Sequence, residues 1–238
     1  MHLFLKNGLD LADKTNATVA LYALQSGDYF AANLRIENAC FVFNAVCSGV
    51  TIENIALMMP GFHNVENALG ATAACLQAGL SAYEIREGLN AYKVVKRRFE
   101  YVVKTDAHVY IDDYAHHPTE IEAFLSSIKA LYPNKKLTCV FQPHLFTRTR
   151  DFQEGFAQSL SIADDLILLD IYPARELPIE GITSNIIFDK VTTENKTLCT
   201  KNEVLNLLKT KNPELVVTVG AGDIDTLINP IREWLEAN

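Results

Sequence analysis

The stretch Val109-Tyr110-Ile111-Asp112-Asp113-Tyr114-Ala115-His116-His117-Pro118 passes from apolar alternation into a knot of two acids and two imidazoles. Pro118 then opens an amphipathic helix pattern. A strand that delivers polar groups at its end and runs on into a helix is how an open α/β sheet exposes its chemistry. The next apolar run, Leu137-Thr138-Cys139-Val140-Phe141, repeats the arrangement, with Gln142-Pro143-His144 after it and Thr147-Arg148-Thr149-Arg150 at the start of another helix pattern. Two parallel strands joined by a helical crossover would bring both clusters to one sheet edge.

Working outward, strands are expected at about 99–104, 108–112, 137–141, 165–171, 197–200 and 215–219. Helices are expected between and after them at about 118–131, 149–162, 184–191, 202–210 and 223–236. This alternation predicts an α/β fold whose mostly parallel sheet has helices on both faces. Upstream the pattern differs. Short strands at Thr18 to Leu24, Tyr29 to Ile36, Ala39 to Val46 and Ile52 to Met59 are separated by Ser26-Gly27-Asp28, Glu37-Asn38 and Ser48-Gly49, and their close spacing predicts antiparallel pairing. Two helices follow: one from Asn64 with Val65, Ala68, Leu69, Thr72 and Leu76 on one face and Gly79 as its stop, and one from Ser81 through Leu89 whose Ser81 and Glu84 form a capping-box pattern. The basic link Lys93-Val94-Val95-Lys96-Arg97-Arg98-Phe99 separates the units, which places the boundary between 1–92 and 93–238. The first unit, with four short strands and two helices, reads as part of a larger domain whose remainder lies upstream.

The bulk properties exclude several classes. With 21 Lys+Arg against 29 Asp+Glu the formal charge is -8, which argues against nucleic acid or an anionic membrane as partner. No apolar run reaches the ~18 residues of a membrane span, and no secretory signal opens the chain. Five cysteines, an odd number without a C-x-x-C pair, fit buried thiols in the cytoplasm. At 238 residues the chain is long enough to bury roughly 70% of its unfolded surface without disulfides.

Several residues could carry chemistry. Asn64 and Asn67, in Gly61-Phe62-His63-Asn64-Val65-Glu66-Asn67, share one face of a first helical turn and could hydrogen-bond an adenine edge; Asn64 could equally be an N-cap. Arg97-Arg98-Phe99 could clamp phosphate or be a solvated link. Asp112, Asp113, His116 and His117 fit metal ligands, a general acid and base, or anion contacts beside a helix cap, with His117 next to the cap and Pro118 in the first turn. A metal-dependent hydrolase on Asp112, Asp113, His116 and His144 is one outcome, although no H-x-x-x-H or H-E-x-x-H occurs and no metal ligand is assigned. Arg148 and Arg150 at a helix start suit a carboxylate or phosphate, unless they pair with Asp151 or Glu154. Val219-Gly220-Ala221-Gly222-Asp223 lacks the third glycine of a dinucleotide fingerprint and reads as a turn that needs small residues. No G-x-x-x-x-G-K-[ST] phosphate loop occurs.

Taken in order, G-F-H-N-V-E-N-A-L (61–69), R-R-F-E (97–100), D-D-Y-A-H-H-P-T-E-I (112–121), F-Q-P-H-L-F-T-R-T-R (141–150) and V-G-A-G-D-I (219–224) resemble the Mur ligase family, and within it the branch that uses L-alanine. The resemblance implies that 1–92 is the end of a central ATP-binding domain and 93–238 a Rossmann-like amino-acid-binding domain. It implies a cytoplasmic ATP- and Mg-dependent ligase of peptidoglycan precursor synthesis. In that reaction the muramate carboxylate of UDP-N-acetylmuramate becomes an acyl phosphate, which the amine of L-alanine attacks. By resemblance Asn64 and Asn67 hold the adenine, while Arg98 and Asp113 reach across the domain boundary to the nucleotide's phosphates and ribose. Tyr114, His116, His144 and Arg148 line the pocket for L-alanine and the reacting carboxylate, with His116 and Arg148 as the catalytic pair. The family's phosphate loop and magnesium ligands precede the matched region, so the chain is expected to be inactive without the missing amino-terminal and central portion. Leu145 stands where the family often has Arg, so one carboxylate contact is lost or supplied by a neighbour. The alternatives are a ligase that recycles murein tripeptide and a non-catalytic binding module of the same fold.

Overall fold

The computed structural model describes residues 2–4, 18–47, 49–93 and 95–237. Ser48 of the expected Ser48-Gly49 turn and Val94 of the basic link lie outside the described residues, as do 1 and 5–17 of the first unit. The chain divides into two compact units, Met1–Val94 and Val95–Asn238.

The first unit is a sheet in the order β1 (His2–Phe4), β2 (Val19–Ala23), β3 (Tyr29–Glu37), β4 (Cys40–Cys47) and β5 (Val50–Leu57). The strands β3, β4 and β5 pair antiparallel, as their turns predict. Asn38 and Ala39 at φ 52 and 56 make the two-residue connection whose left-handed geometry matches strand twist. The pairing of β2 with β3 differs from the expectation, because it is parallel. The Leu24–Asp28 connection folds back on β2 instead of making a tight reversal: Asp28 Oδ2 accepts the Leu21 N–H at 2.8 Å. Gly27, at φ 139, lies so close that a Cβ would meet the Leu21 carbonyl oxygen at 2.9 Å. Helix α1 (Phe62–Gln77) buries Val65, Ala68, Leu69, Thr72 and Ala73. The capping box of Ser81 and Glu84 forms at the start of α2 (Ala82–Ala91).

The second unit carries a six-stranded sheet. In chain order its elements are β6 (Glu100–Lys104), β7 (Val109–Asp113), α3 (Pro118–Leu131), β8 (Leu137–Phe141), α4 (Phe146–Asp151), α5 (Gln153–Leu160), β9 (Asp165–Leu169), α6 (Asn185–Phe188), β10 (Asn195–Cys199), α7 (Val204–Lys211), β11 (Leu215–Val219) and α8 (Ile228–Glu236). The spatial order is β10-β9-β8-β11-β7-β6, parallel except for β6, which runs antiparallel to β7. Every residue of β7, β8 and β11 is buried, as expected where helices cover both faces. On one face Tyr110, Val140, Ile167 and Val216 pack with Val204 and Leu208 of α7 and Ile231 and Leu235 of α8. On the other, Phe141 meets Phe156 of α5 at 5.6 Å and Phe99 meets Phe124 of α3 at 5.2 Å between ring centroids.

Two departures bear on the rim of the sheet. The expected helix at 149–162 is two helices, α4 and α5, because Phe152 (φ -116, ψ 17) breaks the helical run. Strand β11 lies between β7 and β8, so the two polar clusters meet across the Gly220-Ala221-Gly222 turn instead of on neighbouring strands.

Candidate functional site

The link into the second unit is set by two residues in the left-handed region, Arg97 (φ 58) and Phe99 (φ 51). This alternation half-buries Arg97, exposes Arg98 and buries Phe99. Arg97 Nε donates to Asp112 Oδ2 at 2.9 Å, and its Nη2 donates to the Gly220 carbonyl at 2.7 Å. The Thr218 hydroxyl donates to Asp112 Oδ1 at 2.5 Å, so Asp112 is a structural anchor. Asp113 accepts the Phe99 N–H on Oδ2 and the Ala115 N–H on Oδ1, both at 2.7 Å. Burial lifts Asp113 to about 6 against the pull of those two N–H groups. Each of its oxygens keeps a second lone pair. Arg98 has no carboxylate within ion-pair distance among the described residues, although its charge lowers the pKa of both Asp113 and Glu120.

The residue after the strand, Tyr114, is exposed and stacks with the Arg97 guanidinium 5.1 Å from its ring centroid. Its carbonyl lies 3.0 Å from His116 Nδ1. A carbonyl only accepts, so Nδ1 is the donor of that pair. His117 is the N-cap of α3 itself rather than its neighbour, and Pro118 occupies the first turn. Glu120 completes that cap by accepting the His116 and His117 N–H groups at 3.0 and 3.3 Å. Gly155 lets α5 approach: a Cβ there would lie 3.0 Å from the Pro118 ring.

Across the β11 turn, His144 lies with its ring 6.5 Å from that of His116 and stacked at 5.8 Å on Tyr172. Desolvation first, then the charges of Arg148 and His116, lowers the His144 pKa, so the imidazole is neutral at pH 7. Arg148 Nη1 is 3.5 Å from His144 Nδ1. Arg148 does not pair with Asp151 or Glu154: Asp151 takes Arg150 at 2.7 Å, and Glu154 takes Lys190. The anion seat expected at the helix start is filled from within. Glu176 accepts the Thr147 N–H at 3.0 Å and its hydroxyl at 2.5 Å. What the rim offers a ligand is therefore the Arg148 guanidinium beside a neutral imidazole, rather than free backbone N–H groups.

The sequence-predicted residues Asp113, Tyr114, His116, His144 and Arg148 thus gather on one rim, with Arg98 on the link leading to it. The structural roles of Arg97, Glu120 and Glu176 were not singled out in the sequence. A half-buried network links Lys201 to Asp223, which accepts the Gln142 Nε2 hydrogen bond at 2.8 Å and so ties the ends of β8 and β11 together. Glu120 could have been found from its position three residues after a helix-capping His117; nothing local marks Glu176. Among the described residues no three acid, imidazole or thiol side chains gather to hold a metal ion. Cys139 is fully buried and its thiol pKa is pushed up, which disqualifies it as a nucleophile.

In the first unit Gly61, at φ 134, is the N-cap of α1, so Asn64 is inside the helix and is not its cap. Asn64 is buried and donates from Nδ2 to the Pro60 carbonyl at 3.0 Å, while Asn67 is exposed. No described helix is long and apolar enough to cross a membrane.

Residues 97–222 match the family model described as Mur ligase, glutamate ligase domain. A curated relative, the UDP-N-acetylmuramate--L-alanine ligase of Christiangramia forsetii, is 46% identical over 233 residues, covering 98% of this chain and 50% of the relative. The corresponding enzyme of Flavobacterium psychrophilum is 45% identical over 234 residues, covering 98% and 51%. The crystal structure of the UDP-N-acetylmuramate-alanine ligase of Thermotoga maritima matches with a TM-score of 0.76 at 25% identity, over 92% of this chain and 48% of that one. The chain spans about half the length of the curated relatives it matches.

Proposed function

Because the chain belongs to the Mur ligase family, we propose that the protein is an ATP-dependent ligase that joins L-alanine to the muramate carboxylate of UDP-N-acetylmuramate, and that residues 93–238 form its amino-acid-binding domain. The muramate carboxylate takes the γ-phosphoryl group and releases ADP. The alanine amine attacks the acyl phosphate, and the tetrahedral intermediate expels phosphate to leave the amide. Such a reaction needs positioning and charge neutralisation more than covalent help from the protein.

Arg148 is assigned to the alanine carboxylate, since a guanidinium fork matches two carboxylate oxygens. His144, neutral at pH 7, and His116 beside it can take a proton from the alanine ammonium, which frees the amine lone pair for attack. Tyr114 lines the same rim. The assignments of Asn64 and Asn67 to adenine, and of Arg98 and Asp113 to the nucleotide's phosphates and ribose, form part of the same proposal. Magnesium would neutralise ATP phosphate charge, and the described residues do not fit it: Asp112 and Asp113 are taken up by Arg97, Thr218 and backbone N–H groups.

The observation that carries the reading is Arg148, a cation without a carboxylate partner among the described residues, beside the neutral His144 on the strand-end rim of a chain 46% identical to an L-alanine ligase. The test is amide formation by the full-length protein with ATP and UDP-N-acetylmuramate, offered L-alanine or a murein tripeptide. L-alanine is expected to be the acceptor; turnover with the tripeptide alone would overturn the reading.

A further inference from the structure

A single guanidinium is a thin holder for an amino-acid carboxylate, and the residue next to His144 on the rim is the apolar Leu145, at φ 72. The segment Tyr172-Pro173-Ala174-Arg175-Glu176 runs alongside and is fastened at both ends. At one end Tyr172 N–H donates to the Pro143 carbonyl at 2.8 Å, and Leu145 N–H donates to the Tyr172 carbonyl at 2.9 Å. At the other, the Glu176 carboxylate is taken up by Thr147, and Glu176 N–H closes a tight turn on the Pro173 carbonyl at 2.9 Å. Ala174, at φ 50, lies inside that turn. Arg175 is therefore carried on a backbone fixed against 143–147. It is exposed, and it has no hydrogen-bond or ion-pair partner among the described residues. Its neighbour Glu176 does not form an ion pair with it. The charge of Arg175 reaches His144 and lowers the pKa of that imidazole, as the charge of Arg148 does.

We propose that Arg175 is the second cation of the amino-acid site, holding the incoming carboxylate together with Arg148 and supplying the charge that Leu145 does not. This rests on the L-alanine ligase reading above. The fastened turn presents the guanidinium, and Glu176 acts as the positioning residue of that turn.

The test uses the full-length protein with saturating ATP and UDP-N-acetylmuramate. Arg175→Ala is expected to raise KM for L-alanine at least tenfold while KM for ATP and the thermal midpoint stay unchanged. Arg175→Lys is expected to recover part of the loss, because it keeps the charge without the fork. Adding Leu145→Arg to Arg175→Ala is expected to bring KM for L-alanine back towards the wild-type value. An unchanged KM for L-alanine in Arg175→Ala, or an equal rise in KM for ATP, would overturn the proposal. Failure of the wild type to use L-alanine at all would instead sink the functional reading beneath it.

Discussion

The two ends of the parallel sheet handle charge in opposite ways. At the amino ends of the strands lies a cleft of about 470 Å³ lined by Asn134, Lys136, Asp164, Asp165, Lys211 and Glu214 among others. Its three carboxylates each hold a lysine: Asp164 with Lys129 at 2.7 Å, Asp165 with Lys211 at 2.8 Å and Glu214 with Lys135 at 3.0 Å. At the carboxyl ends Asp112 and Asp113 are buried under the rim and bonded to Arg97, Thr218 and backbone N–H groups. There Arg98, Arg148 and Arg175 have no carboxylate partner among the described residues. Under the proposed reading, the cations left without counter-ions mark the end that receives the anion.

That contrast can be broken in four ways. Removing the anchor under the rim, Asp112→Ala, leaves the half-buried Arg97 with only the long 4.0 Å contact to Asp225 as its ion pair and should cost about 3 kcal/mol by urea denaturation; a loss below ~1 kcal/mol would mean that the two ends differ only in appearance. Arg148→Gln in the full-length protein should lower kcat/KM for L-alanine by about 100-fold, the scale of a truncated charge-assisted contact, and should raise the His144 titration midpoint seen by NMR. An unmoved midpoint would separate the two side chains.

The next effect is a pH dependence. Burial raises the folded pKa of Asp113 to about 6, above the ordinary 3.8 of a solvated aspartate, so between those values the native state holds a proton that the unfolded state has lost. Its contribution to stability is fully present below the unfolded value and is lost as pH rises through about 6. Asp113→Asn should flatten that decline in a series of denaturation midpoints, and an unaltered slope would count against it. Smallest of all, Glu214→Ala at the amino end should change stability by less than ~1 kcal/mol, since the pair is largely exposed.

The second unit was the more legible in sequence, because strands covered on both faces leave unbroken apolar runs such as Leu137–Phe141 and Leu215–Val219. The gathering of His116, His144 and Arg148 followed from placing those runs in parallel. Three things were hidden. Asp112 and Asp113 are adjacent acids, and only the register of Thr218 beside Asp112 shows which one is bonded to its neighbouring strand. Arg97 and Arg98 are chemically identical, and the left-handed backbone around them decides which turns inward. Glu176 meets Thr147 across 29 residues of sequence, a contact that leaves no periodic trace. In the first unit the parallel pairing of β2 with β3 was missed because a short connection usually signals reversal, and Gly27 permits another path.

A Cβ at Gly222 would lie 2.4 Å from Gln142 Oε1 and 2.8 Å from Tyr172 Cβ, and Tyr172 is the platform on which His144 rests. The spacing of the two imidazoles is thus gauged by the residue with no side chain at all. Even a single methyl group at that point would shift the Tyr172 platform, so the tolerance of the rim is narrowest where it carries no charge and no chemistry of its own.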